Sequence, residues 1–398
     1  MDITIFPGKL SGEISVIPSK SQAHRLLICA AFADGPTTLL CPETNRDIEA
    51  TAQCLNALGA NIQRTDSGYH VIPAASIPKN AQLNCHDSGS TLRFLLPVVG
   101  ALGVDTTFFL EGRLPSRPLS PLWEEMERMG CKLTRHAPNQ LRCQGQLLPG
   151  EYTIDGSISS QFITGLLFAA ALMEGNSQIH LTGKVESRPY ITMTQQAMAS
   201  FCVMSENFCV SSEKKYHTPG TIRVEGDWSN GAFFLAAAAL GNDLSVQNLS
   251  VVSPQGDRAV RELLPRLQEN IVISAADIPD LVPILSVAAA CSKGVKFTDI
   301  HRLRLKESDR VASVIAMLKA LGGKAEADDD TLTVFGTGLT GGTVDSANDH
   351  RIAMSAAIAA TVCTEPVTIL GAQCVEKSYP KFFEEYRRLG GRYEQYLR

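Results

Sequence analysis

Charge is scarce and nearly balanced in this 398-residue sequence: charged residues make up 19%, and the net charge is −5. The lack of a basic excess argues against broad non-specific nucleic-acid binding. The longest uninterrupted apolar run is Ala232–Leu240, too short to span a bilayer. The opening Met1-Asp2-Ile3-Thr4 lacks the basic and apolar regions of a signal peptide. No CxxC pair or Cys/His cluster occurs among the 11 cysteines, which argues against a metal site, and their odd number argues against a disulfide framework. Cys29, Cys54, Cys291 and Cys363 lie in apolar runs, where a free thiol behaves as a small hydrophobe. No Gly-x4-Gly-Lys-Ser/Thr loop is present, so a P-loop nucleotide site has no support. These absences lead us to expect a cytoplasmic protein without membrane or nucleic-acid partners.

What is present is periodic. Hydrophobic residues reach 44%, a globular balance, and the length suits two domains of about 200 residues each. Six segments share one plan: a polar start, an Ala/Leu-rich helical run, a break usually marked by Gly, then a short strand. They begin near Ser21, Ser90, Ser160, Ser229, Asp280 and His350, at spacings of 69, 70, 69, 51 and 70 residues. The short interval marks the fourth unit as trimmed. Strands are expected at Thr37–Leu40, Thr106–Leu110, Gln178–Leu181, Leu244–Leu249, Val295–Ile300 and Val367–Leu370. A second, one-sidedly charged helix closes several units at Gly59, Gly130, Gly322 and Gly390, where glycine suits the left-handed cap. The Ala-rich helices are apolar nearly all round and should be buried, three to a domain.

The buried helices open with hydroxyls and amides, as in Ser19-Lys20-Ser21, Ser88-Gly89-Ser90-Thr91 and Ser159-Ser160-Gln161. Each alone reads as an ordinary N-cap. Converging N-termini would instead make an anion site. Lys20, Arg25, Arg93 and Arg351 sit near these starts, where the helix dipole disfavours a cation. Arg117, Arg302, Arg304, Lys306, Arg310 and Lys377 lie in intervening segments. Cations so placed point to a small, multiply anionic, phosphate-bearing ligand.

The motifs around these residues resemble those of the 5-enolpyruvylshikimate-3-phosphate synthase family. The series runs Pro18-Ser19-Lys20-Ser21-Gln22-Ala23-His24-Arg25, Ser88-Gly89-Ser90-Thr91-Leu92-Arg93, Ser116-Arg117-Pro118-Leu119, Ser159-Ser160-Gln161-Phe162 and Ser187-Arg188-Pro189-Tyr190. It continues with Ile278-Pro279-Asp280, Leu305-Lys306-Glu307-Ser308-Asp309-Arg310, Asn348-Asp349-His350-Arg351 and Lys377-Ser378-Tyr379-Pro380. All nine stand in the family's order.

The resemblance implies an α/β, two-domain enolpyruvyl-transferase fold of six βαβαββ repeats, three per domain, around buried parallel helices. The N-terminal domain would span 15–226 and the C-terminal domain 1–14 plus 227–398, with crossovers near 14–18 and 224–227. The implied reaction joins phosphoenolpyruvate to the 5-hydroxyl of shikimate 3-phosphate and releases phosphate, in aromatic amino-acid biosynthesis. It needs no metal or organic cofactor. By matching motifs, Ser21, Arg25, Ser159, Ser160, Gln161, Ser187, Tyr190, Asp280 and Lys306 would hold shikimate 3-phosphate. Lys20, Gly89, Arg93, Arg117, Gln161, Arg310, Arg351 and Lys377 would surround phosphoenolpyruvate. Asp280, expected to open and cap a buried helix, would be the base, and Glu307 the acid, with Lys20 as a possible sharer of that role. The resemblance also implies closure of the two domains, a monomer, and a target of glyphosate.

Three positions depart from the family pattern: Arg302 stands where Asn is frequent, Phe94 where many members have Pro, and Ser90 replaces Thr. Two alternatives compete. A UDP-N-acetylglucosamine enolpyruvyl transferase would usually carry a reactive Cys near Gly112–Leu119, and none is there. A non-catalytic anion-binding protein on the same fold would be expected to lose Asp280 or Glu307, and both are present.

Overall fold

The computed structural model describes residues 1–211, 213 and 215–396. Its contacts divide the chain into two compact units, Pro18–Glu225 and Met1–Ile17 together with the chain from Gly226 onward. Residues 15–17 and Gly226 therefore pack with the C-terminal unit, not with the N-terminal domain as expected. The reason is main-chain pairing: Val16 N donates to Gln247 O at 3.2 Å, and Asp227 N to Ile17 O at 2.9 Å.

In the Pro18–Glu225 unit the buried helices are Lys20–Ala31, Gly89–Leu102 and Ser160–Ala170. Each is capped by a serine side chain, Ser19, Ser88 or Ser159, which satisfies one N–H of the first turn. Each helix leads into a strand, Thr37–Leu40, Asp105–Leu110 or Ser177–Thr182. That strand has a parallel neighbour on one side and an antiparallel one on the other, in three four-stranded sheets of the same order. The first sheet is completed by Thr221–Arg223, the last strand of the unit. The second helices Arg46–Ala57, Leu122–Arg128 and Arg188–Ser200 each join the strand after the buried helix to the far edge strand of the same sheet.

The helices Gly89–Leu102 and Ser160–Ala170 approach closely at Gly165, where a Cβ would lie 2.3 Å from Arg93 O. Pro97, inside the first of these helices, has no N–H to offer that carbonyl. The missing side chain at Gly165 lets the second helix pack there.

The other unit buries Trp228–Ala239, Val282–Ala290 and His350–Ala359. Two of its sheets repeat the same order, the last by taking the N-terminal strand Asp2–Phe6 between Val367–Leu370 and Arg392–Tyr396. The fourth repeat differs. Among the described residues its sheet holds only Ser11–Ser15 and Asp243–Gln247, paired in parallel. After the helix Val260–Arg266 the chain passes to Val272–Ser274, the first strand of the next sheet. The missing antiparallel pair accounts for the 51-residue spacing, and the βαβαββ plan is complete in only five repeats.

The second helices close as their glycines predict, with φ of 104° at Gly59, 106° at Gly130, 83° at Gly322 and 95° at Gly390.

Candidate active site

Within Pro18–Glu225, helix starts and their basic residues are held by side-chain and main-chain partners in separate groups. Lys20 is the first residue of its helix, and its Nζ lies 3.0 Å from Oδ2 of Asp47, in the first turn of Arg46–Ala57. Arg25, 2% exposed, donates to the Ser21 carbonyl (2.6 Å), the Tyr190 carbonyl (3.1 Å) and Thr194 Oγ1 (2.8 Å). Its guanidinium also lies over the Phe94 ring. Burial lowers Arg25 to about 10, so it stays a cation at neutral pH. Ser187 adopts a left-handed φ of 54° at the start of Arg188–Ser200 and so shapes the turn that carries Tyr190.

A second group spans two helices. Arg93 donates from Nη1 to Gln161 Oε1 at 2.8 Å and from Nη2 to the Pro118 carbonyl at 3.0 Å. Gln161 in turn donates to Ser90 Oγ at 3.0 Å. Ser159 and Ser160 are buried beside it at the helix start. Gly89 leaves room for Arg117, whose Nη1 would lie 2.7 Å from a Cβ there. Beneath these groups, hydroxyls link His24 to Thr51, Thr51 to Thr91, and Thr91 to Ser88, each at 2.7 Å.

In the other unit the site is an ion cluster. Arg310, 1% exposed at its side chain, places Nη1 2.5 Å from Asp280, Nη2 2.8 Å from Glu307 and Nε 2.9 Å from Asp349. Asp280 also meets Arg351 at 3.3 Å and Lys306 at 4.0 Å. Asp349 caps His350–Ala359 by accepting from Arg351 N and takes a further bond from Ser308 Oγ. Lys377 is buried at the end of the short helix Ala372–Lys377, which packs on His350–Ala359. Arg302 is buried in the short helix His301–Leu305.

One expectation is corrected here. Asp280 does not cap the buried helix, which begins at Val282 after Leu281 and has no side-chain cap. Its carboxylate is drawn instead to Arg310 and Arg351. Glu307 lies before the helix Arg310–Ala320, whose cap is Asp309, and meets Arg310 from outside it.

Burial would raise the Asp280 carboxyl, but Arg351, Arg310 and Lys306 together hold it well below the usual range. Lys306 is pushed down to about 8, chiefly by burial, with Asp280 opposing and Arg310 and Arg302 contributing. Arg351 is 3% exposed, and its Nε and Nη1 have no hydrogen-bond partner among the described residues. Such buried, unsatisfied N–H groups are costly and suit an anionic ligand.

Asp47, Asp349 and Asp257 were not singled out from the sequence. Asp349 stood in a quoted motif and at a cap position, which was a usable signal. Asp47 looks like any acidic residue of a first helical turn. Asp257 is 1% exposed and accepts from Ser229 Oγ, near the start of Trp228–Ala239.

Residues 6–386 match the family model of EPSP synthase (3-phosphoshikimate 1-carboxyvinyltransferase). The chain belongs to the EPSP synthase family. It is 38% identical to the 3-phosphoshikimate 1-carboxyvinyltransferase of Clostridium botulinum (strain Alaska E43 / Type E3), over 98% of each chain. That alignment runs over 425 residues, more than this chain's 398, so this relative carries segments that the chain lacks. The Clostridium beijerinckii enzyme of the same name is 36% identical over 99% of each. Among solved structures, an EPSP synthase from Acinetobacter baumannii superposes with a TM-score of 0.79 at 24% identity, over 99% of this chain and 100% of that one. The enolpyruvyl transferase NikO from Streptomyces tendae gives 0.78 at 17%, over 99% and 98%. Both likenesses concern the fold.

Proposed function

We propose that this EPSP synthase family member transfers the enolpyruvyl group of phosphoenolpyruvate to the 5-hydroxyl of shikimate 3-phosphate and releases phosphate. The observation that carries this is the Asp280–Lys306–Glu307–Arg310–Arg351 cluster, where carboxylates that can move protons lie among cations that can hold phosphate and carboxylate groups. In the first step the 5-hydroxyl oxygen bonds to C2 of phosphoenolpyruvate. Its proton passes to Asp280, and C3 takes a proton from Glu307, with Lys20 as the alternative donor. In the second step the C2–O bond to phosphate breaks, the departing phosphate takes the proton held by Asp280, and C3 returns its proton to the group that supplied it, which leaves the enol ether.

Held low by three cations, Asp280 is a weak base until those cations are engaged. Anionic substrates that draw Arg351 and Lys306 onto themselves relieve the carboxylate and raise its basicity. The cations then face the charge that develops on the departing phosphate. Shikimate 3-phosphate is assigned to Ser21, Arg25, Ser159, Ser160, Gln161, Ser187, Tyr190, Asp280 and Lys306. Phosphoenolpyruvate is assigned to Lys20, Gly89, Arg93, Arg117, Gln161, Arg310, Arg351 and Lys377. We further read the enzyme as cytoplasmic and as a glyphosate target whose binding site is bordered by Ser90 and Phe94.

Phosphate release from phosphoenolpyruvate tests the assignment, with shikimate 3-phosphate and, separately, UDP-N-acetylglucosamine as acceptor. Release with the first alone is expected. Release with only the second would reassign the substrate, and release with neither from folded protein would remove the enzymatic function.

A further inference from the structure

We propose that Thr194 is a positioning residue for shikimate 3-phosphate: acting through Arg25, it holds three helix starts in the register that this substrate needs. The proposal rests on the assignment of Ser21, Arg25, Ser160 and Tyr190 to that substrate. Thr194 lies in the helix Arg188–Ser200, is fully buried, and stands outside every motif quoted from the sequence. Three helices meet at its hydroxyl. Arg25 Nε, from Lys20–Ala31, donates to Thr194 Oγ1 at 2.8 Å, and Thr164 Oγ1, from Ser160–Ala170, lies 2.8 Å away. Thr194 Oγ1 donates to the Tyr190 carbonyl at 3.0 Å. A hydroxyl has one proton and two lone pairs. With its proton on Tyr190 O, the Thr194 oxygen accepts from both Arg25 and Thr164, and its capacity is full.

Helical spacing explains the convergence. Each of the three residues stands four positions beyond an assigned ligand: Thr194 after Tyr190, Arg25 after Ser21, and Thr164 after Ser160. Residues four apart share one helix face, so a junction one turn down ties together the starts above it. Arg25 adds two main-chain bonds, to the Ser21 and Tyr190 carbonyls. A guanidinium has five N–H groups. Three are used within the chain, which leaves one on each terminal nitrogen for the anion. The hydroxyls are not there for packing. Thr164 and Thr194 are both fully buried, and buried hydroxyls must find partners. A threonine bonded to the carbonyl four residues back also slightly destabilises its helix. What Thr194 supplies is an acceptor for Arg25 Nε, which would otherwise be a buried N–H of a cation with no partner.

Phosphate-release kinetics, titration calorimetry with shikimate 3-phosphate and thermal melts of the full chain test the proposal. Thr194→Val keeps the shape of the side chain and removes the acceptor. Its KM and dissociation constant for shikimate 3-phosphate should rise about tenfold. Its kcat and its KM for phosphoenolpyruvate should stay within about twofold of wild type, the signature of binding lost equally from ground and transition states. Thr194→Ser keeps the hydroxyl and loses a buried methyl. Its thermal midpoint should fall while its affinity stays close to wild type, whereas a role in stability alone would make affinity follow the midpoint in both variants. Should Thr194→Val fail to fold, Thr194→Cys takes its place, since a thiol is only a weak acceptor, and the same dissociation constant should rise. Arg25→Lys keeps the charge and gives up the Nε bond, so adding Thr194→Val to it should cost less than about twofold more. Wild-type affinity in folded Thr194→Val or Thr194→Cys overturns the proposal. So does a Thr194→Ser as weak as Thr194→Val, or a full tenfold loss on top of Arg25→Lys. A wild-type chain that neither binds shikimate 3-phosphate nor releases phosphate with it overturns the substrate assignment, and this proposal with it.

Discussion

Arg310 and Asp280 form a contact of 2.5 Å in which the guanidinium is 1% exposed and the carboxylate 20%. The same guanidinium holds Glu307 and Asp349. Three carboxylates thus surround one buried cation, and only Asp349 is fully buried. The two partly exposed ones are those assigned to proton transfer, while the buried one fixes the cation.

Asp280→Asn keeps the shape of the side chain and removes its charge and its basicity. Loss of a positioned general base costs roughly 10²–10⁴ in rate, so kcat for phosphate release should fall by about that factor. Arg310 keeps Glu307 and Asp349 as partners, so the fold should survive. Steady-state kinetics with a parallel thermal melt check both halves. Near-normal kcat would move the base elsewhere.

Asp349→Ala should act on stability first. It removes the cap on Arg351 N, the ion pair to Arg310 Nε and the acceptor of Ser308 Oγ. Breaking a buried pair costs about 3 kcal/mol, which for a unit of this size is a fall of roughly 6–12 °C in thermal midpoint. An unchanged midpoint in calorimetry would contradict the structural role given to Asp349.

Lys306, lowered mainly by burial to about 8, links substrate affinity to pH. The bound anion favours the ammonium form, so shikimate 3-phosphate should bind more weakly as pH rises through about 8. The dissociation constant should grow by up to about tenfold between pH 8 and 9. Lys306→Arg keeps its charge throughout that range and should flatten the dependence. Titration calorimetry on both proteins gives the comparison, and parallel curves would show that Lys306 does not contact this substrate.

The six buried helices were legible because each combines a polar start, an Ala/Leu run and a closing break, all of which are local signals. Even the loss of two strands showed, as a spacing of 51 instead of about 70 residues. The cations of the site were legible for a related reason: Lys20 and Arg351 stand where a helix dipole disfavours them. Which carboxylate each would meet was not. Asp47 reaches Lys20 from 27 residues away and Asp349 reaches Arg310 from 39. Asp349 stood at a cap position, but nothing periodic marks such long-range pairings among 41 acidic residues. Asp280 was placed at the right helix but misread as its cap, because local pattern cannot register the pull of Arg310 and Arg351 from other elements.

Asp257 gives the last test, on stability alone. Burial, reinforced by Asp280, raises its carboxyl from the ordinary 3.8 to about 7, against the opposing influence of Arg351 and the Ser229 hydroxyl. Between about pH 4 and 7 the folded chain therefore holds a proton at Asp257 that the unfolded chain has released. Stability from this group is full below the unfolded value and declines as pH rises through 7. Asp280 runs the other way, but its contribution is already complete above its unfolded value near 3.8 and is constant over this range. Asp257→Asn keeps an acceptor for Ser229 and cannot ionise. Its thermal midpoint should therefore gain on the wild type between pH 5 and pH 8, with the difference levelling off above 7. Melting curves of the two proteins across that range decide it: a constant offset would mean that Asp257 is already ionised in the folded chain at pH 5.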